Sequence, residues 1–471
     1  MLVFPQFPRL AIRAGTILLP ALFLAAPVAA APREIHLQSS FPPLFFKDAP
    51  PGGAHPIGGL GYRFFEMANE ALAHLDLRLV FHVPGQVHPA DAGKVEPPIV
   101  RLGERFETIY AAAAAGEAGG GIDIGIGIGN QNGFPFGELY VAGLPFGLEA
   151  EEFAGYLYGG GGLALQQEIY DRHFDGKLLI LPIALTTTQG GGWFPGPLPD
   201  PDADPALSDE AAMARLCRKP WIVRWPAPAS KVWETACARV GAPAAVIGPE
   251  TRCKDPRSAC PAADNPEAVA IDRLTFGGFV PGVPPHTFLL NGNIDAYELN
   301  LPFTEVQMLK MVLGQGERSN AEADLSPVIS RAPYYYGQTW HQPLTYIELV
   351  VNRAFWEGLP EAARRIIEAA AYRATLENWA VSLSRQGEGI ALLQANGAVV
   401  LRWPEGLLRL LRAASDDYLE RRAEELAAAG DDSYGRALDH MRAYQRRQAV
   451  YDDFGDLNQG RAGLPASPGG E

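Results

Sequence analysis

Trp221-Ile222-Val223-Arg224-Trp225-Pro226 is the stretch that decides the fold. Three consecutive apolar residues, two of them β-branched, predict a buried strand, and a permanently charged guanidinium arrives where the strand gives way to a proline-containing turn. Ser230 then opens the amphipathic run Lys231 to Val240, closed by Gly241, so a strand, a turn and a capped helix are expected in succession. An arginine at the carboxyl end of a strand faces the crevice in which open α/β sheets bind ligands, and its planar fork matches a carboxylate. A solvated loop arginine is the plainer reading, and the rest of the chain has to decide between them.

With 471 residues the chain is long enough for two or three domains. Its hydrophobic content of 47% and charged content of 20% are those of a globular protein with a sizeable core. A formal charge of −15 without a basic run argues against nucleic acid and anionic membrane surfaces as partners. An anionic small ligand stays compatible, because one local arginine outweighs distant, screened charge.

Residues 1–31 read as a secretory signal peptide. Arg9 and Arg13 precede the apolar run Ile17 to Leu24, and Val28-Ala29-Ala30-Ala31 supplies the small residues of a cleavage site. The mature chain is therefore expected in the periplasm, where disulfides persist. Cys253 and Cys260, in the polar, proline-rich stretch Thr251 to Pro266, form the favoured pair. Cys217 and Cys237 either pair with each other or leave Cys237 as a core thiol on the predicted helix.

Working outward, Glu34 to Gln38 alternates as a strand, Tyr62 to Leu75 has helical spacing, and Leu77 to Val83 returns to strand, the order of a parallel α/β lobe. The run Gly119 to Asn132 lacks the GxGxxG and Lys-Ser/Thr patterns of a nucleotide loop. It reads instead as a buried strand of Ile122, Ile124, Ile126 and Ile128, whose glycines allow close backbone approach and whose tip carries Asn130 and Gln131. Phe153 to Tyr170 is helical but broken at Gly159-Gly160-Gly161-Gly162, and Leu178 to Leu185 is a central strand ending in a polar, glycine-rich tip with Gln189 and Trp193. Tyr346 to Asn352 is another strand. Pro360 to Gln394 is one long helix of about 50 Å at 1.5 Å per residue, and helices from Glu405 and Ser433 complete the chain.

Taken in order, Leu144-Pro145-Phe146-Gly147, Tyr156-Leu157-Tyr158-Gly159-Gly160-Gly161, Gln189-Gly190-Gly191-Gly192-Trp193-Phe194 and Arg224 resemble the solute-binding subunits of TRAP transporters, the DctP-type family. So do Asn291 to Glu298, Tyr334 to Pro343 and Glu348 to Asn352. The resemblance covers roughly Gly119 to Tyr451 and rests on several motifs in the family's order. It implies an α/β, two-lobed periplasmic binding protein-like fold with a long helix spanning both lobes. The lobes would be 32–185 and 186–331, with inserts at 249–272 and 314–325. Crossover strands and the start of the long helix would occupy 332–375, C-terminal helices packing on both lobes 376–455, and a disordered tail 456–471.

In function, the resemblance implies a receptor that closes on a small carboxylic acid and delivers it to the membrane subunits of the transporter. Arg224 would grip the carboxylate, with Gln189, Asn130, Gln131, Trp193 and Trp340 lining the site. Glu298, Gln342 and the main chain of Leu299 would hold a metal ion such as sodium. The long helices leave room for a homodimer. The rival from another class is an exported carboxylate-dependent hydrolase on an α/β scaffold. That reading lacks a GxSxG elbow and an HExxH helix, and the nine histidines have no ligand spacing.

Overall fold

The computed structural model describes residues 33–39, 59–82, 108–116, 121–129, 134–142, 144–225, 227–246, 274–276, 285–315, 319–337 and 339–455. The expected signal peptide, the insert at 249–272, Cys253, Cys260, Asn130, Gln131 and the tail from 456 lie outside them.

The first part of the chain runs β1 (Arg33–Ser39), α1 (Gly59–Leu72), β2 (Leu77–His82), α2 (Thr108–Ala115), β3 (Ile124–Gly127), α3 (Gly137–Ala142), α4 (Ala150–Tyr158), α5 (Gly162–His173) and β4 (Leu178–Leu185). The second runs β5 (Gly192–Phe194), α6 (Asp209–Cys217), β6 (Ile222–Arg224), α7 (Ala227–Arg239), β7 (Ala245–Val246), β8 (Thr275–Phe276), α8 (Pro285–Leu290), β9 (Ala296–Tyr297), α9 (Pro302–Val312), α10 (Ser326–Ile329) and β10 (Tyr334–Tyr336). The chain then passes through β11 (Tyr346–Asn352), α11 (Arg353–Gly358), α12 (Glu361–Ser384), α13 (Gln386–Ala395), β12 (Val399–Leu401), α14 (Glu405–Ala428) and α15 (Ser433–Gly455).

Two sheets result. The first has the order β2-β1-β3-β11-β4 and the second β12-β10-β5-β9-β6-β8-β7. Every residue of β11 is buried, as expected of an apolar strand covered on both faces. It enters the first sheet from the second and lies antiparallel between β3 and β4. The glycine-rich β3 is buried throughout, and its glycines serve close approach: a Cβ on Gly127 would stand 2.8 Å from the Tyr110 ring.

Apolar clusters cover the two faces of each sheet. α12 packs on β4 and α1, while α13 packs on α9 and β12 of the other half. α14 likewise buries Leu407 and Leu411 in a cluster of the second sheet and Leu419 in one of the first. The architecture is thus the expected two-sheet α/β arrangement with helices spanning both halves.

Two details differ from the sequence reading. The helix after Arg224 begins at Ala227 rather than at Ser230, with Pro228 tolerated because its first turn needs no N–H. The long helix from Pro360 is also not continuous: it breaks at Arg385. Beyond the break Gly389 lies directly on the Pro302–Phe303 backbone, where any side chain would collide. The break lets α13 turn onto α9, an advantage that helical periodicity does not record. Among the cysteines, Cys217 and Cys237 form a disulfide joining the end of α6 to α7.

Candidate functional site

β6 and β9 are parallel neighbours, with Arg224 in register with Tyr297. Arg224 and Glu298 therefore leave the sheet side by side at the carboxyl ends of adjacent strands, the edge at which open α/β sheets collect ligand-binding groups. The connections between the sheets meet them there. Gln189, between β4 and β5, donates its backbone N–H to Gln342 O at 3.4 Å, and the next residue, Gly190, donates to Asn300 O at 2.9 Å. A Cβ at Gly190 would collide with the Tyr335 hydroxyl, so only glycine lets this crossing lie so close.

The Arg224 side chain is 15% exposed and that of Glu298 2%. Arg224 Nη1 donates to the main-chain oxygen of Glu298 and to its Oε2, the latter at 3.3 Å. Burial lowers the Arg224 pKa from its ordinary value, while the charges of Glu298 and then Glu305 act in the opposite direction. A guanidinium keeps its charge even so, and its five N–H groups exceed what one carboxylate takes.

Gln189 is 1% exposed, and its amide has different company at its two ends. One end lies 2.5 Å from Glu298 Oε1 and 3.1 Å from Leu299 O, the other 2.7 Å from both Thr345 Oγ1 and Gln342 Nε2. Gln342 Nε2 also donates to Thr345 Oγ1 at 3.1 Å. With its nitrogen toward Glu298, the amide donates to both oxygens there. With its oxygen toward Glu298, carboxylate, carbonyl and amide oxygens converge without a proton between them, an arrangement that a hard cation stabilises. In that second orientation these residues fit a cation of the sodium or calcium kind, held by Glu298, Leu299 O and Gln189, with Gln342 behind. Among the described residues no three His, Cys, Asp or Glu side chains form a metal-binding cluster.

Charge supports the same reading. Arg224 is the one buried guanidinium of the cluster, while Glu298 and Glu305 are both 1% exposed. Arg224 faces Glu298 and His286 lies 2.8 Å from Glu305, so an anionic ligand brought beside Arg224 and Glu298 is favoured by a further positive charge there.

His341 completes the wall. Its Nδ1 shares a hydrogen bond with Thr339 Oγ1, and its Nε2 lies 3.5 Å from Glu298 Oε2. Trp225 packs on the His341 ring at 5.2 Å and Trp340 at 5.3 Å, and Trp340 stacks on Phe146 at 5.4 Å. The indole nitrogens of Trp225 and Trp340 are buried and make no hydrogen bond among the described residues.

The structure thus brings Arg224, Gln189, Glu298, Leu299 and Gln342 together, with Trp340 in the adjoining aromatic wall. Trp193 instead packs against Tyr335 at 4.8 Å in a core cluster of the second sheet. Thr345, His286 and Glu305 were not singled out from the sequence. Thr345 lies on a chain crossing between sheets, and His286 and Glu305 meet only where α8 packs on α9, neither of which leaves a local pattern.

No family model matches the sequence. A monocarboxylate 2-oxoacid-binding periplasmic protein of Nostoc sp. is 21% identical over 319 residues, 68% of this chain and 66% of that protein, so the match falls just short of two thirds of the relative's length. Among solved structures, a TRAP periplasmic solute-binding protein of Pseudoalteromonas atlantica with bound sodium and pyruvate superposes with a TM-score of 0.61 at 19% identity, covering 92% of this chain and 99% of that one. One of Colwellia psychrerythraea with calcium and pyruvate gives 0.59 at 20% identity over 90% and 97%. A TRAP transporter solute-binding protein of Bordetella bronchiseptica, a mixed-occupancy dimer with calcium and picolinate, gives 0.61 at 16% identity over 91% and 96%.

Proposed function

We propose that this chain, which has the fold of the TRAP periplasmic solute-binding proteins, is an extracytoplasmic receptor that binds a small carboxylic acid together with a cation. The observation that carries the reading is Arg224 at a strand's carboxyl end, buried beside Glu298 and the Gln189 amide. Arg224 supplies a charge-assisted pair to the ligand's carboxylate. A cation held by Glu298, Leu299 O and Gln189 offsets the second negative charge and adds a Lewis-acidic contact for a neighbouring ligand oxygen, the arrangement a 2-oxoacid suits.

The chain's own residues do the remaining work. Glu298 orients Arg224, Thr345 and Gln342 orient Gln189, and the wall of Trp225, Trp340 and His341 excludes water and favours a small, flat acid. Asn130 and Gln131 are proposed to contribute from the first lobe. The lobes are proposed to meet at the crossings near residues 186 and 332, with closure trapping the ligand before delivery to membrane subunits in the periplasm. Nothing in the site favours the hydrolase reading, and the relatives are binding proteins.

Calorimetric titration with pyruvate and with picolinate, in sodium or calcium buffer, tests this. Stoichiometric binding without turnover is expected. Arg224→Ala should lose about 2–5 kcal/mol of affinity, as for breaking a buried charge pair, and Arg224→Lys should bind poorly because a point charge lacks the fork. Carboxylate binding by Arg224→Ala at wild-type affinity would overturn the proposal.

A further inference from the structure

Leu299 O belongs to the peptide group that also contains Asn300 N–H, so whatever holds that N–H fixes the direction in which the carbonyl points. The holder is a carboxylate. Glu305 Oε1 accepts from Asn300 N at 3.1 Å, and Glu305 Oε2 lies 2.8 Å from His286 Nε2. His286 is 0% exposed and Glu305 1%, beside a cluster of buried apolar and aromatic side chains that includes Tyr297. The His286 ring sits edge-on to Tyr297, the residue before Glu298, at 5.0 Å.

A carboxylate and an imidazole in an apolar core are costly unless they do something an apolar pair would not. Here they reach one peptide, and that peptide is the one whose oxygen lies beside Gln189 and Glu298. Glu305 stands in the first turn of α9, where the helix dipole favours its charge, and Pro302 at the helix start sets the chain direction between peptide and carboxylate. The other side of the loop is held by the Gly190 N–H on Asn300 O at 2.9 Å. The loop is thus clamped from both sheet crossing and helix.

We propose that the buried His286–Glu305 pair is the positioning device of the cation site: it locks the Leu299–Asn300 peptide so that Leu299 O is presented as a ligand. The inference rests on the cation reading above and adds two residues that touch neither ligand nor cation. His286 holds Glu305 in the rotamer that reaches Asn300, and Glu305 holds the peptide.

Terbium(III), a luminescent stand-in for calcium that nearby tryptophans sensitise, tests this on the full mature chain without any carboxylate. Its emission reads affinity, and its lifetime in ordinary against heavy water reads the number of coordinated waters. Wild type should bind it. Glu305→Ala should weaken binding by about 10-fold or more, the usual effect of removing a residue that orients a metal ligand, and should add coordinated water where Leu299 O is lost. Glu305→Gln, which keeps an acceptor for Asn300 N–H, should restore most of the affinity. His286→Phe keeps the ring packing on Tyr297 but not the bond to Glu305, and should weaken binding in the same direction. Wild-type affinity and hydration in Glu305→Ala, or in His286→Phe where the Ala variant does not fold, would overturn the positioning role alone. Failure of wild type to bind terbium would overturn the cation reading and this proposal together, leaving Arg224 and the carboxylate untouched.

Discussion

Glu348 shows at the scale of one residue how much a buried carboxyl can govern. It is 0% exposed, in the middle of β11, and takes hydrogen bonds from Tyr110 at 2.6 Å, Tyr170 at 2.5 Å and Gln166 at 2.6 Å. Burial pushes its pKa up to about 7, more than those three bonds and Tyr346 pull it down. The folded value lies above the unfolded one, so the native state holds the proton more tightly. The resulting stabilisation is complete below about pH 4.5, the unfolded value, and is lost as pH rises through about 7. The span is on the order of 3 kcal/mol. Thermal unfolding between about pH 4 and about pH 8 should therefore show wild type losing stability as pH rises, with a shallower slope in Glu348→Gln. Equal slopes would show that Glu348 does not titrate in this range.

Elements carry constraints that no single residue does. The disulfide between Cys217 and Cys237 closes a loop with a sequence separation of 20 and ties α6 to α7 on either side of β6, the strand that bears Arg224. A loop of that size stabilises by about 3 kcal/mol through the unfolded chain. Replacing both cysteines by alanine should lower the melting temperature and reduce its sensitivity to reductant, while pyruvate affinity in calorimetry stays within about 3-fold, since the loop-closure effect acts on the unfolded state. A large affinity loss with unchanged melting would mean that the bond shapes β6 rather than the unfolded ensemble. The α12–α13 break at Arg385 belongs to this scale too: beyond it, the lack of a side chain at Gly389 is what lets α13 lie on the Pro302–Phe303 backbone.

For the whole molecule the argument turns on connections. The chain passes from β4 to β5 and from β10 to β11, and α12–α13 and α14 bridge the same two halves, so relative motion is confined to a few segments. Arg224 and Glu298 both sit on the second sheet and are preorganised there, whereas Gln189 and Thr345 sit on the crossings. A ligand that contacts both halves should stabilise a closed form. Saturating pyruvate with calcium should reduce the radius of gyration in solution scattering, and at about 100 times the dissociation constant should stabilise the fold by about 2.7 kcal/mol. Scattering unchanged by a ligand that raises the melting temperature would separate binding from closure.

The order of strands and helices was readable because apolar periodicity is local. β4 and β11 fall on the residues expected, and Gly159 to Gly161 separates α4 from α5, with Gly162, expected in the break, opening α5 instead. Arg224 at a strand end was legible for the same reason, whereas Gln189, Glu298 and Gln342 were named through the resemblance of the short runs around them to a known family. Tertiary structure alone decided what those runs meet. That Gln189 faces Glu298 follows from a chain crossing between the two sheets, whereas Glu305 holding Asn300 N–H, Cys217 reaching Cys237 and Gly389 lying on the Pro302–Phe303 backbone follow from how separate elements pack. Hydrogen bonds and close packing act over a few ångströms in space, and no spacing along the chain encodes them when the partners lie on different strands and helices.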